Sequence, residues 1–172
     1  MKIGIVSDSH KKTGFLKDAI DRLKADGANF LIHAGDIVLK EGLELLKESS
    51  LPYKAVFGNN DARLYEYAKE YDIDLEPYYF HIENIKVKLM HHPYYMMNDA
   101  DLIVCGHTHY FKAEIQNGTL YINPGEICAR KKPVSEFVMV EKTQKGWSLR
   151  VYTKELLKNK TDYSAINKEL FF

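Results

Sequence analysis

The stretch MKIGIVSDSH (residues 1–10) contains a short apolar run, Ile3 to Ser7, followed by the polar letters DSH. A short apolar run bounded by polar residues predicts a buried strand. The same pattern returns in FLIHAGD (30–36) and in KAVFGNND (54–61), where a glycine closes each run. Three buried strands, each followed by polar side chains, are therefore predicted in the first third of the chain.

Two predicted helices separate these strands. Apolar residues recur at helical spacing from Phe15 to Leu23, and Gly27 ends that helix. A second helix carries the leucines of residues 43–46 and ends before Pro52. The order strand, helix, strand, helix, strand is typical of parallel crossover units. A further helical stretch is predicted near residues 62–71.

The second half is predicted to be mostly β-structure. Short strand-like runs lie at residues 79–82, 86–90, 102–105, 113–115, 120–122, 137–140 and 149–152. Asn117-Gly118 between two of them indicates a hairpin, because a type I′ turn requires positive φ. One short helix is predicted near residues 94–98. We expect a single domain over residues 1–172, with a tail (154–172) that is helical or packed on a partner.

Composition limits the classes of function. The 172 residues include 24 Lys and Arg against 24 Asp and Glu, so the chain offers no basic field for long nucleic acid. No apolar run is long enough to span a bilayer, and no secretory leader is predicted. Cys105 and Cys128 form no C-x-x-C pair, which favours a reducing cytoplasm and argues against a thiolate metal site. Zero net charge and abundant aromatic residues favour a homodimer or higher homo-oligomer.

Five predicted strand ends carry side chains that can bind divalent metals. In open α/β sheets, sites form beyond the carboxyl ends of the strands. The side chains are Asp8, His10, Asp36, Asn59, His91, His107 and His109. Each alone has another explanation, such as a helix N-cap for Asp8, a turn for Asn59 or a core histidine for His91. Together, their nitrogen and oxygen atoms favour Mn, Fe, Zn, Ni or Co over Ca or Mg.

The order Asp-x-His, Gly-Asp, Gly-Asn-x-Asp, His, Gly-His-x-His resembles the calcineurin-like metallophosphoesterase superfamily, from Lys2 to about Val140. The small size resembles its compact bacterial and archaeal phosphodiesterase branch. The resemblance implies a four-layer α/β/β/α double β-sandwich and two divalent metal ions, with Mn first and Ni, Co, Fe or Zn as alternatives. It implies that one ion is held by Asp8, His10, Asp36 and His109, and the other by Asp36, Asn59, His91 and His107. A hydroxide bridging the ions would then be the nucleophile that hydrolyses a small phosphoester, with a phosphodiester favoured.

Two positions depart from the family pattern. Asn60 stands where many members have a histidine that protonates the leaving group, and an amide cannot replace that acid. His92 follows His91 where the family has glycine, so His92 is a second candidate for that role. Residues 123–125 (NPG) match the branch, but Glu126 follows where serine is usual. No catalytic side chain is assigned beyond the candidates Asn60 and His92.

Other classes of function stay open. The same fold serves as a protein-binding scaffold in vesicle-coat complexes, whose members tend to lose metal ligands, and some superfamily members are nucleases. Two segments also have more than one explanation. Residues 94–97 (YYMM) pack a short helix, line the substrate or form a subunit contact, and residues 130–132 (RKK) form a solvated loop or attract an anionic substrate.

Overall fold

Two β-sheets form the frame of the protein. The computed structural model describes residues 1–158 and 162–171. In chain order, the elements are β1 (Lys2–Val6), α1 (Thr13–Ala25), β2 (Phe30–His33), α2 (Lys40–Glu48), β3 (Tyr53–Val56), β4 (Ile73–Asp74), β5 (Tyr78–Ile82), β6 (Ile85–Leu89), β7 (Leu102–Val104), β8 (Phe111–Gln116), β9 (Thr119–Pro124), β10 (Val134–Thr143), β11 (Gly146–Glu155) and β12 (Ser164–Phe171). Two 3₁₀ helices lie at Ala62–Tyr67 and Leu156–Lys158.

The first sheet combines a parallel and an antiparallel half. Its seven strands follow the order β12-β11-β10-β1-β2-β3-β4, and β1 to β4 run parallel as the crossover pattern predicts. The second sheet has five strands in the order β5-β6-β7-β9-β8, of which β6, β7 and β9 are parallel. Each sheet therefore has a group of parallel strands whose carboxyl ends share one edge.

Alternating side chains place the first sheet between two apolar layers. In β1, Ile3 and Ile5 pack in the core between the sheets, whereas Val6 packs in the core under the helices. Gly4 lies on the helix side, where a Cβ atom would come within 2.8 Å of Leu23 on α1. The missing side chain lets α1 pack close to the sheet.

The stacked sheets with helices outside confirm the predicted double β-sandwich. The buried faces of α1 and α2 join one core cluster with the first sheet. The second sheet carries a smaller cluster formed by Met90, Ile103, Cys105 and Tyr121. No α-helix follows α2 in the residues that the structure describes, so no α-helix covers the outer face of the second sheet. No helix in the described ranges is both long and apolar enough to cross a membrane.

The helix predicted near residues 94–98 is wrong. Tyr94 and Met97 are 70% and 66% exposed, so the segment has no buried apolar face. Its backbone bonds are short-range, from the Tyr94 N–H to the His92 carbonyl and from the Asp99 N–H to the Met97 carbonyl, both at 2.8 Å. Without a packed face, so short a segment does not offset the cost of helix nucleation. The helix-packing explanation of residues 94–97 is therefore also wrong.

The helical alternative for the tail is wrong where the structure describes it, apart from one 3₁₀ turn. Ser164–Phe171 forms β12, which pairs antiparallel with β11 from Ser164 opposite Thr153 to Phe171 opposite Gly146. The long β11 offers an open row of backbone donors and acceptors, and the tail satisfies them. Residues 159–161 and 172 of the predicted tail lie outside the described residues. Packing on a partner stays a prediction.

The stretch predicted as helical near residues 62–71 is shorter and tighter than expected. A 3₁₀ helix covers Ala62–Tyr67, and strand β4 follows it. Only Leu64 is buried within that helix. A single buried side chain cannot stabilise several turns of α-helix, because most helical stability in proteins comes from packing an apolar face.

Candidate metal centre

Seven polar side chains from both sheets meet at one edge of the sandwich. Asp8, His10, Asp36 and Asn59 follow strands of the first sheet, and His91, His107 and His109 follow strands of the second. The carboxylate of Asp36 lies in the middle, with its Oδ2 atom 3.5 Å from His10 Nε2 and 3.6 Å from His91 Nε2. All seven residues that the sequence singled out are thus brought together.

One half of the cluster surrounds Asp8. The Oδ1 atom of Asp8 lies 3.3 Å from His109 Nε2. The rings of His10 and His109 stack with their centroids 5.6 Å apart. In the described part of the chain, Asp8 Oδ1 and His10 Nε2 are buried and have no hydrogen-bond partner. Buried polar atoms without a partner, gathered at one place, fit side chains that bind a ligand or an ion.

The other half surrounds Asn59. Its Oδ1 atom lies 3.0 Å from His91 Nε2 and 3.1 Å from His107 Nδ1, and these two nitrogens lie 3.3 Å apart. Ligand atoms that bind one ion at about 2.1 Å are themselves about 3.0–3.4 Å apart in octahedral or tetrahedral geometry. The spacing of these three donor atoms therefore fits a divalent cation between them.

The backbone at the site is strained. Asp8, His10, Asp36, His107 and His109 have φ angles of 52°, 46°, 57°, 65° and 67°. Residues other than glycine rarely adopt this left-handed region, and strain of this kind concentrates at functional sites. Five of the seven residues of the cluster share this conformation.

Hydrogen bonds to the other ring nitrogen fix which nitrogen of His91 and of His109 faces the centre. His91 Nδ1 donates to the Ala34 carbonyl at 2.8 Å, which leaves Nε2 free to bind an ion. His109 Nδ1 lies 2.5 Å from Glu126 Oε2, which again leaves Nε2 free. Ser7 Oγ donates to Asp8 Oδ2 at 2.6 Å and orients that carboxylate. Such partners hold metal ligands in position.

Burial sets the protonation of the site in the absence of a cation. Burial raises the pKa of Asp8 from 3.8 to about 7, and it lowers the pKa of the His10, His91 and His107 rings. Burial would also raise the pKa of Asp36, but its electrostatic interaction with His91 and two hydrogen bonds from Asn60 outweigh burial and lower that pKa. The hydrogen bond to Glu126 instead raises the pKa of His109. Neutral imidazoles at His10, His91 and His107 and an ionised Asp36 are states that bind cations.

The two candidates for a proton donor have different surroundings. Asn60 donates through its N–H and Nδ2 to the two oxygens of Asp36, at 2.9 and 2.7 Å, so it orients that carboxylate. The His92 ring lies 4.4 Å from the His107 ring, and its Nδ1 is 2.5 Å from Glu76 Oε1. Of the two, only His92 presents an imidazole at the rim of the site.

Three further residues of the site were missed by the sequence analysis. Glu76 accepts the backbone N–H groups of His91 and His92 at 2.5 and 2.7 Å and thus shapes their loop. Cys128 offers a sulfur within 4.8 Å of ligand atoms of His10 and His109. Burial raises the pKa of Cys128 to about 12, so the thiol is neutral and is a poor ligand. For Glu126, the strand-end rule that found the histidines was a usable signal, because it directly follows β9 and Gly125.

The carboxylate of Glu126 gives a first prediction. Although burial opposes it, hydrogen bonds from His109 and Cys128 lower the pKa of Glu126 to about 2, so Glu126 is ionised. In Glu126→Gln, the neutral amide polarises His109 less, and we expect metal affinity to fall about 10- to 100-fold. Titration of the metal-free protein with Mn²⁺ measures the change. Glu48→Gln, at an exposed position of α2, is the matched control, and equal affinities for both variants would contradict the role.

A two-sheet sandwich that gathers histidines around a central carboxylate provides the donor set of a candidate metal site, and the comparison with known proteins gives the family. Residues 1–146 match the calcineurin-like phosphoesterase superfamily domain. The phosphodiesterase MJ0936 of Methanocaldococcus jannaschii is 30% identical over 141 residues, which cover 74% of this chain and 85% of that relative. This chain therefore belongs to the calcineurin-like phosphoesterase superfamily, whose members are hydrolases of phosphoesters.

Solved structures agree with this family. A structure described as a novel archaeal phosphodiesterase superposes with a TM-score of 0.74 at 25% identity, over 98% of this chain and 100% of that one. Vacuolar protein sorting 29 from Cryptosporidium parvum superposes with a TM-score of 0.74 at 20% identity, over 98% of this chain and 97% of that one. The second likeness shows the fold alone. The family implies divalent metal ions, and the described residues provide candidate His/Asp sites for them.

Proposed function

We propose that this chain is a dinuclear, metal-dependent phosphodiesterase that acts on a small phosphoester. The observation that supports two ions is the position of Asp36. Its carboxylate lies between the His10 ring on one side and the His91 ring on the other, at 3.5 and 3.6 Å. A carboxylate has two oxygens, so it can serve two ions that are about 3.5–4 Å apart.

The proposed ligand sets follow the two halves of the cluster. Asp8, His10 and His109 would hold one ion with Asp36, and Asn59, His91 and His107 would hold the other with Asp36. Bound divalent ions supply Lewis acidity to the phosphate and lower the pKa of water toward neutrality. Mixed nitrogen and oxygen ligands suit manganese, nickel, cobalt, iron and zinc. Manganese is our preferred metal among them because of the family resemblance.

The chain's own residues orient the reaction. Hydrolysis adds water to phosphorus, breaks the P–O bond to the leaving alcohol and places a proton on that oxygen. Asn60 holds Asp36 through two hydrogen bonds and cannot donate that proton. His92, held by Glu76 beside His107, is the side chain that we propose to face the leaving oxygen. Without a strong acid at residue 60, esters with good leaving groups are the preferred substrates.

Metal dependence gives the direct test. After chelation and dialysis, we expect the protein to hydrolyse bis(p-nitrophenyl) phosphate only when Mn²⁺, Ni²⁺ or Co²⁺ is added, with two ions bound per chain. Release of p-nitrophenol and elemental analysis measure the two quantities. The monoester p-nitrophenyl phosphate is the comparison substrate, and we expect a lower rate with it. A silent protein that binds no metal would contradict the proposal and favour the protein-binding scaffold.

The remaining expectations are proposals of the same kind. We propose a cytoplasmic protein, which is supported by two buried, unpaired cysteines. A homodimer is supported by the exposed Tyr94, Tyr95, Met96 and Met97, because aromatic and methionine residues are enriched in interfaces. The balanced charge of the chain argues against long nucleic acid as substrate.

A further inference from the structure

A large cavity adjoins the candidate metal centre. A small cavity of about 290 Å³ lies at this centre, and its lining includes His10, Asn59, Asn60 and Arg130. The same four residues also line a neighbouring cavity of about 900 Å³. Sites for small organic molecules commonly occupy about 300–1,000 Å³. The larger cavity therefore has room for the part of a substrate that extends beyond the phosphate at the metal centre.

The larger cavity carries positive charge only. Three separate segments of the chain contribute its cations, which are Lys11, Lys12, Arg63 and Arg130. Among the residues that the structure describes, no Asp or Glu lines this cavity, although the chain has equal numbers of acidic and basic residues. None of the four cations forms an ion pair within the part of the chain that the structure describes. Unpaired cations that face one cavity are suited to an anionic group.

The N-terminus of α1 adds to this field. Lys12 is the residue that precedes the helix, no acidic residue lies in the first turn, and no side chain caps the helix. The N-terminal end of a helix already carries partial positive charge, so a lysine there is unfavourable for stability. A negative ligand at this end would offset that cost.

The apolar wall of the cavity is held in a strained conformation. Val38 and Ala129 both line it, with φ angles of 69° and 52°. Positive φ is a clear outlier for a β-branched residue. The Val38 N–H donates to Asp61 Oδ1 at 2.7 Å, and this bond helps to hold the strained turn. Val38 and Ala129 thus give the cavity an apolar wall beside the cations.

We propose that this cavity binds a nucleoside unit that carries a second phosphate, so that the enzyme prefers short nucleotide diesters with a terminal phosphate. The apolar wall would contact the base or sugar, and the cations would bind the terminal phosphate. The preference rests on the proposed phosphodiesterase function. The finite cavity and the balanced net charge agree with a short nucleotide.

Matched dinucleotides test the preference. Thymidylyl-thymidine is compared with the same dinucleotide bearing a 5′- or a 3′-terminal phosphate, in the Mn²⁺-loaded protein. We expect kcat/KM to be about two- to fivefold higher for one of the phosphorylated forms, the gain that a favourable exposed charge pair gives. We expect the ratio to fall toward one in the double variant Lys12→Gln/Arg63→Gln. Lys145→Gln, in the turn between β10 and β11, is the control and keeps the wild-type ratio.

Binding to metal-free protein separates this inference from the proposed function. Calorimetric titration with the same dinucleotides should show tighter binding of a phosphorylated form, and the double variant should lose that difference. If thymidylyl-thymidine is hydrolysed but a terminal phosphate changes neither rate nor affinity, the cavity proposal is overturned and the phosphodiesterase stands. If no dinucleotide is hydrolysed while the affinity difference is present, the phosphodiesterase is overturned and the anion-binding cavity stands. A difference that persists in Lys12→Gln/Arg63→Gln also overturns the cavity proposal.

Discussion

Asp36→Asn should abolish hydrolysis of bis(p-nitrophenyl) phosphate. Asparagine has nearly the same shape, but it removes the negative charge that lies between His10 and His91. Loss of a single preorganised group commonly costs about 10²–10³-fold in rate, and we expect a larger loss where one group serves both halves of a site. The rate with saturating Mn²⁺ and the number of ions bound per chain measure the effect.

The control for this variant is Asp21→Asn on the exposed surface of α1, where the carboxylate pairs with Lys17. That variant should keep wild-type activity and metal content. Mn²⁺ should raise the melting temperature of the wild type and of Asp21→Asn, because a ligand that binds only the folded state stabilises it. It should raise the melting temperature of Asp36→Asn much less. Wild-type turnover by Asp36→Asn would refute the shared-carboxylate mechanism.

Gly58→Ala should damage the site and the fold together. A Cβ atom built at residue 58 overlaps the backbone nitrogen and the Oδ1 atom of Asp36. Backbone cannot move aside as a flexible side chain can, so Asp36 must shift. Overpacking of this kind costs about 1–3 kcal/mol of stability. We expect at least a 100-fold fall in kcat/KM, about the loss of one preorganised group.

Gly14→Ala in α1 is the matched glycine control. No atom lies within 4 Å of a Cβ built there, and alanine favours the helix over glycine by about 1 kcal/mol. Urea unfolding should therefore show Gly14→Ala to be at least as stable as the wild type, and its activity should be unchanged. If Gly58→Ala behaved like Gly14→Ala, the close approach of Gly58 to Asp36 would not matter for function.

The cluster of seven polar side chains was predictable because the pattern that indicates it is local. Each of the seven side chains stands at the end of a short apolar run, and parallel strands bring their carboxyl ends to one edge. His33 illustrates the limit of this rule. His33 is fully buried in β2 and its ring bonds Ser9 Oγ at 3.0 Å, so it is not one of the seven clustered side chains.

The features that were missed depend on contacts distant in sequence. Glu76 meets His92 across 16 residues, and Glu126 meets His109 across 17. Nothing in the local pattern around Glu76 indicates such a partner. The strand β12 was missed because its stability comes from the open edge of β11, which exists only after the sheet has formed. The strained backbone of Val38 also depends on a distant contact, because its N–H donates to Asp61 in another loop.

The cluster draws its members from two different sheets, and this has a mechanical consequence. Asp36 belongs to one sheet, and His91 and His109 belong to the other. A cation bound by side chains from both sheets would connect the two sheets at this edge of the sandwich. Its removal would allow the sheets to move relative to each other there. The affinity of the protein for its ions would then also determine how firmly the two sheets are held together.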